Sequence, residues 1–144
     1  TVVAIESVME DEYFREERIQ VSVFMSIYNV HINHIPFEGR IIYQKYHPGK
    51  FLPAYAAKSS GHNERNSTVI RRQDGMEVLV RQIAGIIARR VISYKKEGDV
   101  ADIKDQLGFI RFGSRVDLFL PPSAEILVKL DQKVKGGVTI IAKV

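Results

Sequence analysis

The sequence predicts a mainly β chain with little helix, folded as a β-sandwich or barrel. Short runs rich in Val, Ile, Thr, Phe and Tyr follow one another closely, and turn chemistry separates them at Asp74-Gly75, Glu97-Gly98-Asp99, Pro121-Pro122 and Gly136-Gly137. Only one stretch shows helical spacing. In order, strands are expected at Val2 to Ile5, Ile19 to Phe24, Gly39 to Tyr43, Ser67 to Ile70, Met76 to Gln82, Gly108 to Phe112, Val116 to Leu120, Ala124 to Val128 and Val138 to Val144. A helix is expected over Ile83 to Arg90, where Ile83, Ile86 and Ile87 recur on one side.

The chain has 144 residues, the size of a single domain spanning 1–144. With 45% hydrophobic and 26% charged residues it is ordinary globular material. It has no cysteine, which excludes disulfides, thiolate metal sites and cysteine nucleophiles. No apolar stretch is long enough for a membrane-spanning helix. The net charge is +4 and the pI near 9.4, so anionic partners are favoured in encounter. The basic residues are dispersed and no common nucleic-acid motif is present, which points away from nucleic acid and toward an anionic membrane surface.

One segment departs from its own pattern. In and around Arg111 to Pro121, the residues Ile110, Phe112, Ser114, Val116, Leu118 and Leu120 share one face of a strand, with Arg111, Gly113, Arg115 and Asp117 on the other. A small hydroxyl thus stands where an apolar side chain belongs. Buried without a partner it costs about 1–3 kcal/mol, so Ser114 either finds a hydrogen bond or does chemistry. Arg115 reads as part of a solvated strand face, with attraction of phosphate as the alternative. On residues alone, Gly-Ser here is a strand irregularity with a satisfied hydroxyl.

The same segment, RFGSRVDLFLP, resembles the processing region of phosphatidylserine decarboxylases of the short prokaryotic type. Val23-Phe24-Met25-Ser26, Asn29 to Pro36 (NVHINHIP), Gly49 to Leu52, Asn63 to Asn66 (NERN), Gln82 to Arg90 (QIAGIIARR) and Ala124 to Gly137 match that family in order. The resemblance implies self-cleavage between Gly113 and Ser114, with Ser114 converted to a covalent pyruvoyl group, and α and β fragments of one chain. Such a ketone captures a primary amine and withdraws electrons, which permits loss of carbon dioxide from a serine phospholipid to give the ethanolamine lipid. The implied fold is a barrel-sandwich hybrid with a C-terminal hammerhead-like repeat. Glu97 to Ile110 and Asp131 to Ile140 are its two copies.

By the same resemblance, His34 is the self-cleavage base and His31 the proton donor in decarboxylation; the ordinary histidine pKa suits both tasks. On a straight strand residues three apart face opposite ways, so both histidines reach one site only if Asn29 to His34 forms a helical turn. A zinc reading of His-x-x-His needs a third ligand such as His47 or His62 and is disfavoured, so no metal is expected. Phe112, Arg115 and Asn63 are candidate substrate contacts. Asn63 lies in NERN, which binds polar head-group atoms or merely closes a turn. The family further implies an upstream hydrophobic segment and a Ser-Pro-Ala-Asp-Gly-like motif whose aspartate assists cleavage. Thr1 to Glu6 resembles the stretch just downstream of that motif, so the chain is expected to lack both. Peripheral attachment to the cytoplasmic side of the cell membrane is the expected location, with a homo-oligomer and diacyl or archaeal ether lipids left open. The alternative is an uncut, non-catalytic lipid-binding or hammerhead-type interaction module.

Overall fold

The computed structural model describes residues 1–25, 31–34, 36–49, 63–85, 91–93, 95–102, 106–110, 114–135 and 139–144. Among these, the regular elements are all strands: β1 (Val2–Glu10), β2 (Glu16–Met25), β3 (His31–His34), β4 (Gly39–His47), β5 (Arg65–Arg71), β6 (Glu77–Ile83), β7 (Val91–Ser93), β8 (Val100–Ala101), β9 (Gln106–Ile110), β10 (Ser114–Leu120), β11 (Glu125–Ile126) and β12 (Ala142–Lys143). Seven form one antiparallel sheet in the order β1-β2-β10-β6-β5-β4-β8. This sheet is open and not closed into a barrel. β3-β9-β7 and β11-β12 make two smaller sheets.

The expected mainly β chain is what forms, and two local expectations are corrected. Ile83, the first residue of the expected helix, instead closes strand β6. The aliphatic and β-branched run of Glu77 to Ile83 stays extended because both its edges are paired, Ile83 itself lying opposite Arg115 and Arg65; residues 86–90 lie outside the described residues. His31 to His34 is a strand paired with β9 and not a helical turn. The first copy of the C-terminal repeat carries β8, paired with β4, and β9, paired with β3 and β7. In the second copy, Asp131 to Ile140, residues 136–138 lie outside the described residues and no strand lies among the others.

Strand β10 is interior to the large sheet. Its neighbours are β2, with Val116 opposite Val23 and Leu118 opposite Val21, and β6, with Leu118 opposite Val80. Cross-strand partners share a face. One face therefore carries Val116, Leu118 and Leu120 with Val21, Val80, Val78, Ile70 and Ile41, the main core. Leu107 of β9 and Val128 after β11 enter the same cluster, so the small sheet and the C-terminal segment cover this face. The segment is tied down by Val2 N–H to Gln132 O (2.9 Å) and Asp131 N–H to Val2 O (2.8 Å). At the sheet's far side, a Cβ on Gly39 would collide with the Arg71 carbonyl oxygen, which makes glycine obligatory at that close β4–β5 approach. Gly75 and Gly98, both at φ 93°, close two of the three expected glycine turns, and Gly136-Gly137 lies outside the described residues.

The other face is covered by the β1–β2 connection. Tyr13 and Phe14 pack on Val69, Leu79 and Phe119. The connection is held by the buried Glu10 carboxylate, which accepts the backbone N–H groups of Glu12 (2.6 Å), Tyr13 (3.0 Å) and Phe14 (2.6 Å). Glu12 then reaches into the sheet. One oxygen accepts from Ser67 Oγ (2.8 Å) and Arg81 (2.9 Å), and the other from the Tyr43 hydroxyl (2.9 Å). His47 Nε2 stands 3.1 Å from that second oxygen, a close electrostatic contact without in-line hydrogen-bond geometry.

Burial alone would raise the Glu12 pKa; the His47 contact, the Ser67 hydroxyl, Arg81 and Tyr43 outweigh it, and the carboxyl titrates below its ordinary 4.5. Tyr43, buried against this carboxylate, is pushed up to about 12. A carboxyl whose pKa is lowered by folding stabilises the fold above its unfolded pKa and loses that contribution as pH falls toward the folded value. Glu12→Gln is accordingly expected to lower the urea midpoint at neutral pH, with the gap to wild type closing as acid protonates Glu12 below 4.5. A gap that stays constant with pH would show that charge on Glu12 contributes nothing.

Candidate active site

Ser114 opens β10, and the residues that precede it, Arg111, Phe112 and Gly113, lie outside the described residues. Ser114 stands opposite Met25 on β2 and, as expected, on the core-facing side with Val116, Leu118 and Leu120. It is 0% exposed, and its Oγ has no hydrogen-bond partner among the described residues. The expected satisfied hydroxyl is thus absent there.

A second orphan shares that face. Gln82 lies opposite Val116, one step diagonal from Ser114. It is 0% exposed, and neither its amide nitrogen nor its amide oxygen has a partner among the described residues. Beyond it across β5, Asn66 donates to the Thr68 hydroxyl at 3.4 Å, as does Gln44. The core face thus turns from aliphatic to polar toward the Ser114 end, through buried Gln82, Asn66 and Thr68. In the sequence, Gln82 stands out only as the first residue of QIAGIIARR. The signal that marks it is the alternation Val78, Val80, Gln82, the same polar interruption of an apolar face that singles out Ser114.

The other candidates fall in different places. Arg115 is not on a solvated face. It is 3% exposed and makes a two-pronged contact with Asp117, itself 0% exposed, through Nε to Oδ1 (2.8 Å) and an Nη to Oδ2 (3.1 Å). The correction follows from β10 lying in the interior of the sheet, between β2 and β6, where the buried Arg115 and Asp117 pair along the strand. Asn63 is likewise buried, and its amide donates to the Ala84 carbonyl at 2.7 Å, which ties NERN to the end of β6. It closes no exposed turn.

His31 and His34 sit on β3, whose partner β9 carries the bulge. His31 is opposite Ile110 and Asn33 opposite Gly108, but His34 is opposite Gln106, leaving Leu107 as the extra residue. A bulge changes the alternation along β9, and its Leu107 is the side chain that enters the main core. The β9 end at Ile110, opposite His31, leads through residues 111–113 directly to Ser114. Only those three positions separate the strand that pairs with His31 from the strand that carries the serine. His47 faces Glu12 on the opposite side of the large sheet, and His62 lies outside the described residues.

Comparison with known proteins bears on this arrangement. A family model described as "Phosphatidylserine decarboxylase" matches residues 3–142. The chain is 57% identical over 143 residues to a phosphatidylserine decarboxylase proenzyme of Amoebophilus asiaticus, covering 99% of this chain and 64% of that protein. It is 48% identical to one of Parabacteroides distasonis, covering 99% and 65%, and 49% identical to one of Cytophaga hutchinsonii, covering 99% and 64%. The chain thus spans less than two thirds of the length of these relatives. No solved structure matches it. A match that runs almost the whole length of the chain, through the strand of Ser114 and the strands on either side, means that this chain belongs to the phosphatidylserine decarboxylase family.

Proposed function

We propose that the chain is the segment of a phosphatidylserine decarboxylase that generates and houses its reactive carbonyl, and that it acts on phosphatidylserine or a related serine phospholipid. The observation that carries this reading is the fully buried Ser114 hydroxyl, without a partner among the described residues, at the start of an interior strand. A structural serine there would have a partner. A serine that attacks the preceding carbonyl needs an Oγ with no competing hydrogen bond.

In the first stage, Ser114 Oγ adds to the carbonyl carbon of Gly113, its proton passing to a general base, and the Gly113 C–N bond breaks as an ester forms. The family resemblance gives the role of that base to His34, although the helical turn that would bring both histidines to one site does not form. The freed amine takes up a proton, and β-elimination with loss of the Ser114 Cα proton releases Gly113 as a new C-terminal carboxylate and leaves a dehydroalanine. Water hydrolyses its imine tautomer to a pyruvoyl group at residue 114 with release of ammonia. The orphaned position fits that group, because a ketone lacks the O–H donor that a buried hydroxyl must satisfy and sits at lower cost against Val116 and Met25. Once formed, the group supplies an electron sink for loss of carbon dioxide from an attached amino acid head. The chain contributes a dry aliphatic wall, in which a carboxylate that disperses its charge is favoured, and a proton from His31. Phe112 and Arg115 flank the cleavage point. Arg115, locked to Asp117, holds the strand and leaves substrate contact to other residues.

The net charge of +4 suits a serine lipid presented on an anionic surface, and peripheral attachment to the cytoplasmic side of the cell membrane is the location that fits. The same protein without cleavage would be a lipid-binding module.

Three outcomes are expected from protein expressed from its complete coding sequence. Wild type runs as two fragments on a denaturing gel, and Ser114→Ala runs as one; an uncut wild type that releases no carbon dioxide from phosphatidylserine refutes the proposal. His34→Ala stays uncut, whereas His31→Ala is cut but releases carbon dioxide on the order of 10²–10⁴-fold more slowly. Cosedimentation with vesicles is stronger for anionic than for neutral lipid and weakens as salt screens the attraction; equal binding to both would remove the electrostatic basis for membrane attachment.

A further inference from the structure

We infer that Gln82 is a substrate-positioning residue that hydrogen-bonds the amine–carboxylate head of the serine lipid. The inference rests on the decarboxylase reading above and adds a specificity contact to it. Gln82 has two N–H donors and a carbonyl oxygen with two lone pairs. All are buried and without a partner among the described residues. A carboxamide in that state inside a sheet is destabilising unless something else fills its bonds.

The register identifies the missing partner. Gln82 is opposite Val116, and Ser114 is two residues along β10 on the same face. Diagonal neighbours of this kind have Cβ atoms about 7–8 Å apart. The reach of a glutamine side chain closes most of that span. The ketone carbon at residue 114 would be its Cα and the methyl its Cβ, so an amine attached there leaves from the backbone at the start of β10, at the Ser114 end of the face that carries Gln82. A zwitterionic head matches the amide, since its carboxylate accepts from the N–H groups and its amine donates to the oxygen. The neighbouring polar side chains do not compete, because the Asn66 amide already donates to Thr68 and the Asn63 amide to Ala84 O. The remaining surroundings, Val80, Val116 and Leu118, are aliphatic.

The test uses Gln82→Met, which keeps length and removes every polar atom, in protein expressed from its complete coding sequence. Self-cleavage is expected within about twofold of wild type. The thermal midpoint without lipid is expected to rise by roughly 2–4 °C, because an unfilled buried amide has been removed. With phosphatidylserine in mixed micelles, KM is expected to rise about tenfold or more while kcat stays within about threefold, the mark of lost binding to the head. A second arm places Gln82→Met in a Ser114→Ala background and titrates glycerophosphoserine and glycerophosphoethanolamine by calorimetry. Gln82 is expected to favour the serine compound by about fivefold or more, and the methionine variant to bind both alike. A lowered midpoint, a KM within about twofold of wild type, or an unchanged preference in the second arm overturns the inference. Failure of the decarboxylase reading shows separately, as an uncut and inactive wild type, and the Ser114→Ala arm still decides whether Gln82 reads the head group.

Discussion

A strand paired on both edges and covered on both faces has no access to water, so each of its polar atoms must be satisfied by the protein. β10 is such a strand, and the rest of the fold is arranged around that constraint. Its backbone is bonded to β2 and β6. Val116, Leu118 and Leu120 join the main core, Phe119 lies under the Arg81 guanidinium at 4.8 Å, and Arg115 and Asp117 neutralise each other. Ser114 is the residue left over. In a strand where even a buried ion pair is bonded, a buried hydroxyl without a partner among the described residues is a sign of a site whose arrangement serves something other than stability.

The two faces of the large sheet carry out different tasks. Toward the β1–β2 connection, Glu10 gathers three backbone N–H groups and Glu12 gathers Ser67, Arg81 and Tyr43, so the polar atoms are bonded and the charges opposed. Breaking one partner of such a network leaves the other charge buried, which is why networks of this kind fix a single arrangement. The opposite face is aliphatic and then, near Ser114, polar and unfilled. Rigidity on one side of β5, β6 and β10 holds the reactive position on the other. A reactive residue such as the one proposed at Ser114 is more narrowly placed at the start of an interior strand than on a loop.

Much of this was legible from alternation. Period two placed Ser114 inward and set Val116, Leu118 and Leu120 beside it, as found. Alternation assigns residues to faces but does not say how many faces are covered. Arg115 and Asp117 look solvated because charged residues usually are, but on an interior strand they are buried and paired with each other. The acidic run Glu10-Asp11-Glu12 was opaque for the same reason: its partners come from Tyr43, Ser67 and Arg81, far along the chain. The helix expected from Ile83 onward failed at its first residue, since Ile is as much at home in β6 and the register with Arg115 prevails over helical spacing. The strand conformation of His31 to His34 was likewise fixed by pairing with β9, a partner distant in the chain and invisible to local periodicity.

The character of Gln82 bears on how the proposed chemistry distributes its binding energy. A cationic side chain at this position would grip the head-group carboxylate more strongly, but that carboxylate loses its charge as carbon dioxide leaves. Strong pairing would stabilise the bound substrate more than the transition state and raise the barrier between them. A neutral amide gives direction to the head group with a weaker hold on its charge, while Val80, Val116 and Leu118 keep water from the carboxylate. A buried cation would also need a counter-charge, as Arg115 needs Asp117 one face away. The amide needs none, so it can remain unfilled between turnovers at a cost of about 1–3 kcal/mol, a penalty that a sheet of seven strands can carry.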